Sequence, residues 1–439
     1  MDLRRKLARL SGAGPGAAPP RPPEPPADPA GAERRDRVSK LQAMIGKLIS
    51  DGRSKLRDRA PPPEPIPLPG ETTETAHGPL HRTLSWLEPR HCHGKIPIAG
   101  ALEVSPITIA KLALDDELAQ VDPRGALFLD TETTGLAGGT GTIPFLVGMA
   151  WFEDQSLRIE QLILRKPGEE VPLLRRLAEV IEGKSCIVTY NGKAFDWPLL
   201  RNRFVLSRVP VAVPRAHLDL LPCARRIYKR RLGQVRLVHL EEQVLGLRRE
   251  RDIDGAEIPS RFWDFVRLAD GSLLAPVIEH NAHDLIALCA ILISLAERFD
   301  ELRPEHEPAD QLGVAQLALR VDDHDRADRW ARAAADGGGP SDVTVDALGV
   351  AATVARKRGA HRAREQLLLR ALDEAEDAPR RARLHLELAK LYEHRVRDLD
   401  RALHHARHAW EAEGDEARDR RVARLERKIE KRGPLLVLE

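Results

Sequence analysis

With 439 residues the chain is long enough for two or three domains, each with a core of its own. Lysine and arginine number 69 against 67 aspartates and glutamates, so no global field demands a polyanionic partner, and local patches decide. Cys92, Cys186, Cys223 and Cys289 lie far apart without a C-x-x-C pair, which argues against zinc and disulfide frameworks and for a reducing, cytoplasmic setting. No stretch reads as a membrane-spanning helix or as the apolar core of a signal peptide.

The first ten residues, MDLRRKLARL, place Leu3, Leu7 and Leu10 at helical spacing and read as a small docking helix or a frayed end. Residues 12–31 are dominated by Pro, Ala and Gly and read as a flexible linker. A short amphipathic helix is expected over 36–57, and a second Pro-rich break follows at 61–70. Residues 1–76 are therefore assigned to a largely disordered N-terminal region.

From residue 77 short apolar runs alternate with helical patterns. Strands are expected at Ala126–Leu129, Ile143–Phe152, Leu157–Leu164, Ser185–Tyr190 and His217–Leu220. Helices are expected at Val171–Ile181, from Phe195 onward, and at Leu221–Arg230, Leu240–Leu245 and Ile278–Arg298. Three early strands followed by alternating β and α units indicate an α/β domain with a mixed sheet over 77–300. Beyond residue 305 the β signal disappears. Helical pairs at 309–336, 341–376 and 384–410 resemble tetratricopeptide units, with Ala389, Ala402 and Ala406 allowing close packing around Leu391 and Tyr392. This all-α region is assigned to 305–433.

Three short segments carry chemistry. In Leu127-Phe-Leu-Asp-Thr-Glu-Thr-Thr-Gly135 a strand ends in Asp130 and Glu132, whose i, i+2 spacing puts both on one face. Two carboxylates that close repel, and a divalent ion relieves the repulsion; a solvated acidic turn is the plainer alternative. In Asn191-Gly-Lys-Ala-Phe-Asp196 the final Asp opens a helix, a position the helix dipole alone would favour. In His280-Asn-Ala-His-Asp284 the His and the Asp are four apart on one helix face, which by itself is equally a surface cap. Asp219, after His217, reads as a support behind the site residues or as a helix cap, and His91-Cys-His93 as only superficially metal-like. Arg225, Arg226, Tyr228, Lys229, Arg230, Arg231 and Arg236 form a basic stretch that suits a single strand or a solvated helix end equally.

Together these segments resemble, in order, the three motifs of the DnaQ-like (DEDD) 3′→5′ exonucleases, and the Gly-rich GLAGGTGTIPFLVG and the HLDLLPCARRIY segment resemble the YprB-like, ribonuclease H-like domain 2 family. The resemblance covers about 100–297. It implies a ribonuclease H-like mixed sheet flanked by helices. It also implies two Mg²⁺ or Mn²⁺ ions held by Asp130, Glu132, Asp196 and Asp284, with His280 as the group that orients or deprotonates water. The His-bearing branch has four residues between His and Asp; this chain has three, the spacing of the Tyr-bearing branch. Thr133, Gly135 and Leu136 are expected beside the terminal nucleotide, Asn191 and Lys193 near phosphate, and Phe195 and Trp197 in core packing. The implied activity is exonucleolytic hydrolysis of single-stranded DNA or RNA ends. The alternatives are a catalytically weak nucleic-acid-binding scaffold and an endonuclease on the same fold. The helical repeats would serve a protein partner.

Overall fold

The computed structural model describes residues 66–135, 141–213, 216–250 and 252–432. The N-terminal docking helix, the 12–31 linker, the helix over 36–57 and Leu136 lie outside the described residues.

The α/β region is built on a seven-stranded sheet. In chain order its strands are β1 (Glu71–Thr75), β2 (Gly78–Leu87), β5 (Ala126–Thr133), β6 (Pro144–Glu153), β7 (Ser156–Ile163), β8 (Cys186–Thr189) and β9 (His217–Asp219). Two short strands, β3 (Cys92–His93) and β4 (Ile96–Pro97), make a separate ribbon. The large sheet runs β1-β2-β7-β6-β5-β8-β9, antiparallel as far as β5 and parallel across β5, β8 and β9.

Helices cover both faces, which is why β6 is buried along nearly its whole length and reads as one apolar run. One face carries α2 (Glu170–Glu182), α3 (Asp196–Leu206) and α5 (Ile258–Leu268) over Leu127, Leu129 and Met149. The other carries α1 (Pro106–Ala113), α4 (Leu220–Leu232) and the long α6 (Ala275–Asp300) over Phe128, Ala150 and Ile159. Strand alternation then sends Ala126, Phe128, Asp130 and Glu132 toward α6.

The strands expected from the apolar runs are present, with ends within a residue, except that β5 runs four residues past the expected end at Leu129, through the polar Asp130–Thr133. The β1–β2 hairpin was not read from the sequence, and it begins before the expected domain start at 77. As the outer strands of the sheet, β1 and β2 are largely solvated and polar, ETTET and GPLHRTLSWL, and lack an apolar run. Helices α1 and α5 were likewise not anticipated.

The C-terminal region is helical throughout. Antiparallel neighbours α7 (Pro308–Arg320) and α8 (His324–Asp336), α9 (Ser341–Lys357) and α10 (His361–Glu374), and α11 (Ala378–Leu391) and α12 (Leu399–Arg407) stack in succession, followed by α13 (Asp415–Arg432). Ala389, Leu391, Tyr392, Ala402 and Ala406 are buried in the seam, as their spacing predicts. The stack joins the α/β region through α4 and α7. A Cβ at Gly313 would lie 2.7 Å from the Arg226 and Ile227 carbonyl oxygens, so only glycine permits the crossing. Beside it the Arg231 guanidinium donates two hydrogen bonds, of 2.9 and 2.8 Å, to the buried Asp310.

Candidate active site

The three motif segments meet at the C-terminal ends of β5 and β8, against the first turns of α6. Asp130 and Glu132 come from β5, where the pairing with β6 shifts register between Glu132 and Thr133. Asp196 is the first residue of α3. His280 and Asp284 stand one turn apart on α6. His280 Nε2 lies 3.8 Å from Glu132 Oε1 and 3.8 Å from Asp284 Oδ2.

Two of the carboxylates, Asp130 and Asp196, are held by neutral donors that the sequence reading did not single out. Asn281 Nδ2 donates to Asp130 Oδ2 at 2.8 Å. Gln161 on β7 donates to Asn281 Oδ1 at 2.9 Å and accepts from Thr83 on β2 at 2.8 Å, so a polar chain crosses the sheet from its edge to Asp130. Gly148 makes room for it: a Cβ there would sit 2.1 Å from Asn281 Oδ1. Thr131 donates to Asp196 Oδ1 at 2.5 Å.

The electrostatics are those of crowded anions. Burial raises the Asp130 carboxyl well above its usual range, and Asp284 and Asp196 push it further; the Asn281 bond and the Arg249 charge oppose this only in part. Glu132 is raised by burial and by Asp130, Asp284, Asp196 and Asp252. Asp196 is raised to about 6, chiefly by burial. Asp284 is raised by burial, with Arg249 and His280 opposing.

One cation of the chain intrudes. Arg249, only 3% exposed, places Nη2 2.6 Å from Asp284 Oδ1 and 2.7 Å from Glu241 Oε2. Glu241 is itself buried and bonded to His93 Nε2 at 2.6 Å. His93 therefore serves this buried ion-pair network, consistent with reading His91-Cys-His93 as only superficially metal-like. Asp252 Oδ1 stands 2.7 Å from His280 Nδ1. Arg249 Nη1 lies 3.5 Å from the same nitrogen, too far to compete. The ring then donates from Nδ1 to Asp252 and turns Nε2 toward the carboxylates of Glu132 and Asp284. Burial alone would raise Asp252, but the bond and charge of His280 and the charge of Arg249 bring it below its usual range.

The remaining expected residues divide. Thr133 donates to the Gly135 carbonyl at 2.9 Å and shapes the turn after β5. Asn191 adopts a left-handed backbone, φ 68°, a conformation Asn tolerates well. Its N–H and that of Lys193 both donate to Asp219, which also caps α4 through the Leu221 N–H. Asp219 thus acts as the cap its position suggested. The Lys193 ammonium pairs with Asp115 at 3.6 Å. Phe195 corrects the expectation of core packing: at the cap position before α3 it is 55% exposed. Trp197 does pack against the core.

Among the described residues no three potential ligands are already drawn together around a single ion position. The residues nonetheless fit a divalent cation. Oxygen donors from three segments converge, their mutual repulsion is only partly offset, and Arg249 and Thr131 occupy single oxygens while leaving others open. Among the described residues no helix is long and apolar enough to cross a membrane.

Residues 127–296 match the RNase_H_2 family model of the RNase H superfamily. A curated relative, the uncharacterized protein YprB of Bacillus subtilis, is 36% identical over 193 residues, which cover 44% of this chain and 46% of that protein. The aligned part thus spans about half the length of the curated relative. Such a fold points to nuclease-type activity on nucleic acid and to the use of divalent metals. Over residues 127–296 this chain is therefore similar to the ribonuclease H superfamily, and its mixed sheet flanked by helices is the fold expected of that likeness.

Proposed function

We propose that the chain is a metal-dependent 3′→5′ exonuclease acting on single-stranded DNA or RNA ends. The observation that carries the reading is the meeting of Asp130, Glu132, Asp196 and Asp284 in one pocket where each raises or is raised by its neighbours. A chain gains nothing for its own folding by gathering four repelling carboxylates, so a ligand of opposite charge is the economical explanation.

These four residues would hold two Mg²⁺ or Mn²⁺ ions, which when bound supply an activated water and charge stabilisation at the phosphate and the leaving oxygen. His280 accepts a proton at Nε2, and Asp252 fixes the ring from the other side. Asn281 holds one oxygen of Asp130 and so sets the direction of the other. Thr133 and Gly135 form the turn beside the pocket. Asn191 opens the segment that leads to Asp196, and the exposed Phe195 ring offers a stacking face for a terminal base. A solvent-facing Lys193 is weakly engaged by Asp115 and can turn to phosphate.

The test uses end-labelled single-stranded DNA and RNA with Mg²⁺, with Mn²⁺ and with EDTA. Stepwise shortening from the 3′ end that requires metal is expected, and it should vanish in Asp130→Asn and Asp196→Asn. Degradation that survives both substitutions would exclude this site. Binding without degradation of any substrate would replace the exonuclease by a nucleic-acid-binding scaffold.

A further inference from the structure

Helix α4 carries five basic residues between 225 and 231, and their partners sort them into two groups. Arg226 donates to the Leu112 carbonyl at 2.8 Å. Arg230 holds Asp342 and Asp346 of α9, each at 2.6 Å. Arg231 is committed to the buried Asp310. These three fasten α4 to α1 and to the helical stack. Arg225 and Lys229 are exposed and, among the described residues, have no acidic partner. They stand four apart, one above the other on one helix face, with roughly 5–6 Å between Cβ atoms.

That face borders two adjoining grooves, and Arg225 and Lys229 line both. The first, of about 540 Å³, begins at Tyr190 and Asn191 and runs along Gly233–Leu237, where Arg236 adds a further exposed cation. The Tyr190 hydroxyl donates to the Val235 carbonyl and fixes this wall. The second, of about 430 Å³, lies between α4 and α7 and ends at the exposed Gln316 and Arg320. Among the described residues neither groove is lined by a single Asp or Glu. In a chain with 67 acidic and 69 basic residues, a continuous lining of cations without carboxylates is a segregation of charge.

The starting point of the track matters as much as its sign. Asn191 belongs to the short segment that ends in Asp196, so the groove starts five residues of chain from the acidic pocket and leads toward the helical stack. A polyanion whose end sits among the carboxylates needs its remaining charges neutralised elsewhere, and cations without an acidic partner in these grooves can do so.

We propose that the paired grooves over α4 bind the phosphodiester backbone of a single strand, on the side away from its reacting 3′ end, with Arg225, Lys229, Arg236 and Arg320 as its phosphate contacts. This rests on the exonuclease reading for the location of the 3′ end. Single-strand specificity follows from the site: a duplex would have to bring a second strand into a groove walled by α4 and α7.

The experiment is binding of 5′-fluorescein-labelled 12-nucleotide oligothymidine and oligouridine to the full chain, read by anisotropy in EDTA so that no hydrolysis intervenes. The double substitution Arg225→Ala with Lys229→Ala should weaken binding at least tenfold at low salt. It should also make the slope of log affinity against log salt shallower by roughly 1 to 1.5, since a single strand contributes about 0.7 per phosphate contact. Removing the same charge far away, by Arg420→Ala with Arg427→Ala on α13, should leave both unchanged, with melting temperatures confirming that each variant folds. Equal loss in the two double variants, or no loss in the first, would overturn the track. Hydrolysis of the p-nitrophenyl ester of thymidine 5′-monophosphate with Mn²⁺ should not change in the Arg420→Ala with Arg427→Ala variant. A wild-type chain that binds the strand through α4 but hydrolyses nothing would sink the exonuclease reading and leave the groove standing.

Discussion

Two buried clusters in this molecule treat negative charge in opposite ways. Glu393, just beyond α11, has no exposed side-chain surface and is surrounded by Arg424 at 2.7 Å, Lys428 at 2.8 Å and Arg421 at 3.7 Å. Burial alone would raise its pKa, but the bonds from Arg424 and Lys428 outweigh it and hold the carboxyl at about 2. On β7, Glu160 is treated likewise by Arg176, Arg158 and Arg82. The pocket of Asp130, Glu132, Asp196 and Asp284 gathers more acid with less compensation, and every one of its carboxyls is raised. Where charge serves the fold, the chain supplies the counter-charge itself. Where it leaves the counter-charge out, the site is built for something that arrives from solution.

The largest effect should come from breaking the acidic pocket functionally. Asp130→Asn is expected to reduce metal-dependent degradation by at least about 10²-fold, the scale of losing a preorganised electrostatic contact. The same exchange of acid for amide at Glu393 should act on stability alone. Glu393→Gln leaves charged donors facing a neutral acceptor and should cost about 2 kcal/mol by urea unfolding, with the degradation rate of the folded protein unchanged. A loss of stability at both positions would erase the contrast.

Much of the pocket was legible in the sequence because motif spacing maps directly onto regular structure. An i, i+2 pair on a strand and an i, i+4 pair on a helix share a face whatever the rest of the fold does. The supporting residues were not legible, for a physical reason. Gln161 reaches Asn281 across 120 residues of sequence, and Arg249 reaches Asp284 across 35 from a loop with no periodicity. Such contacts are set by tertiary packing alone. Asn281 was hidden in plain view between His280 and Asp284, where its polarity on a helix face turned toward a buried sheet was the available signal. Phe195 misled in the other direction, since an aromatic in an apolar context ordinarily packs inward.

Gly148→Ala tests that hidden layer. Its Cβ would displace Asn281 and release Asp130, at a cost of roughly 1–3 kcal/mol for overpacking. Calorimetric titration with Mn²⁺ should then show weaker binding even in the folded fraction. Undiminished affinity would mean that Asn281 does not direct Asp130.

The smallest effect, and the one that compares the two clusters most directly, is the dependence of stability on pH in EDTA. Asp196 has a folded pKa of about 6, above the ordinary carboxyl value, so the folded state binds more protons than the unfolded state between those values. Its contribution is present at low pH and is lost as pH rises through about 6. Glu393, at about 2, has the opposite sign: its contribution is present above the ordinary glutamate value and is lost as pH falls toward 2. Asp196→Asn should therefore flatten the decline in melting temperature between pH 4 and 7, and Glu393→Gln should flatten the decline below pH 4. Saturating Mg²⁺ should remove the first slope and leave the second untouched, because only the first arises from charges that the chain leaves for a cation to neutralise. If Mg²⁺ leaves the Asp196 slope in place, the pocket's repulsion has some cause other than a missing cation.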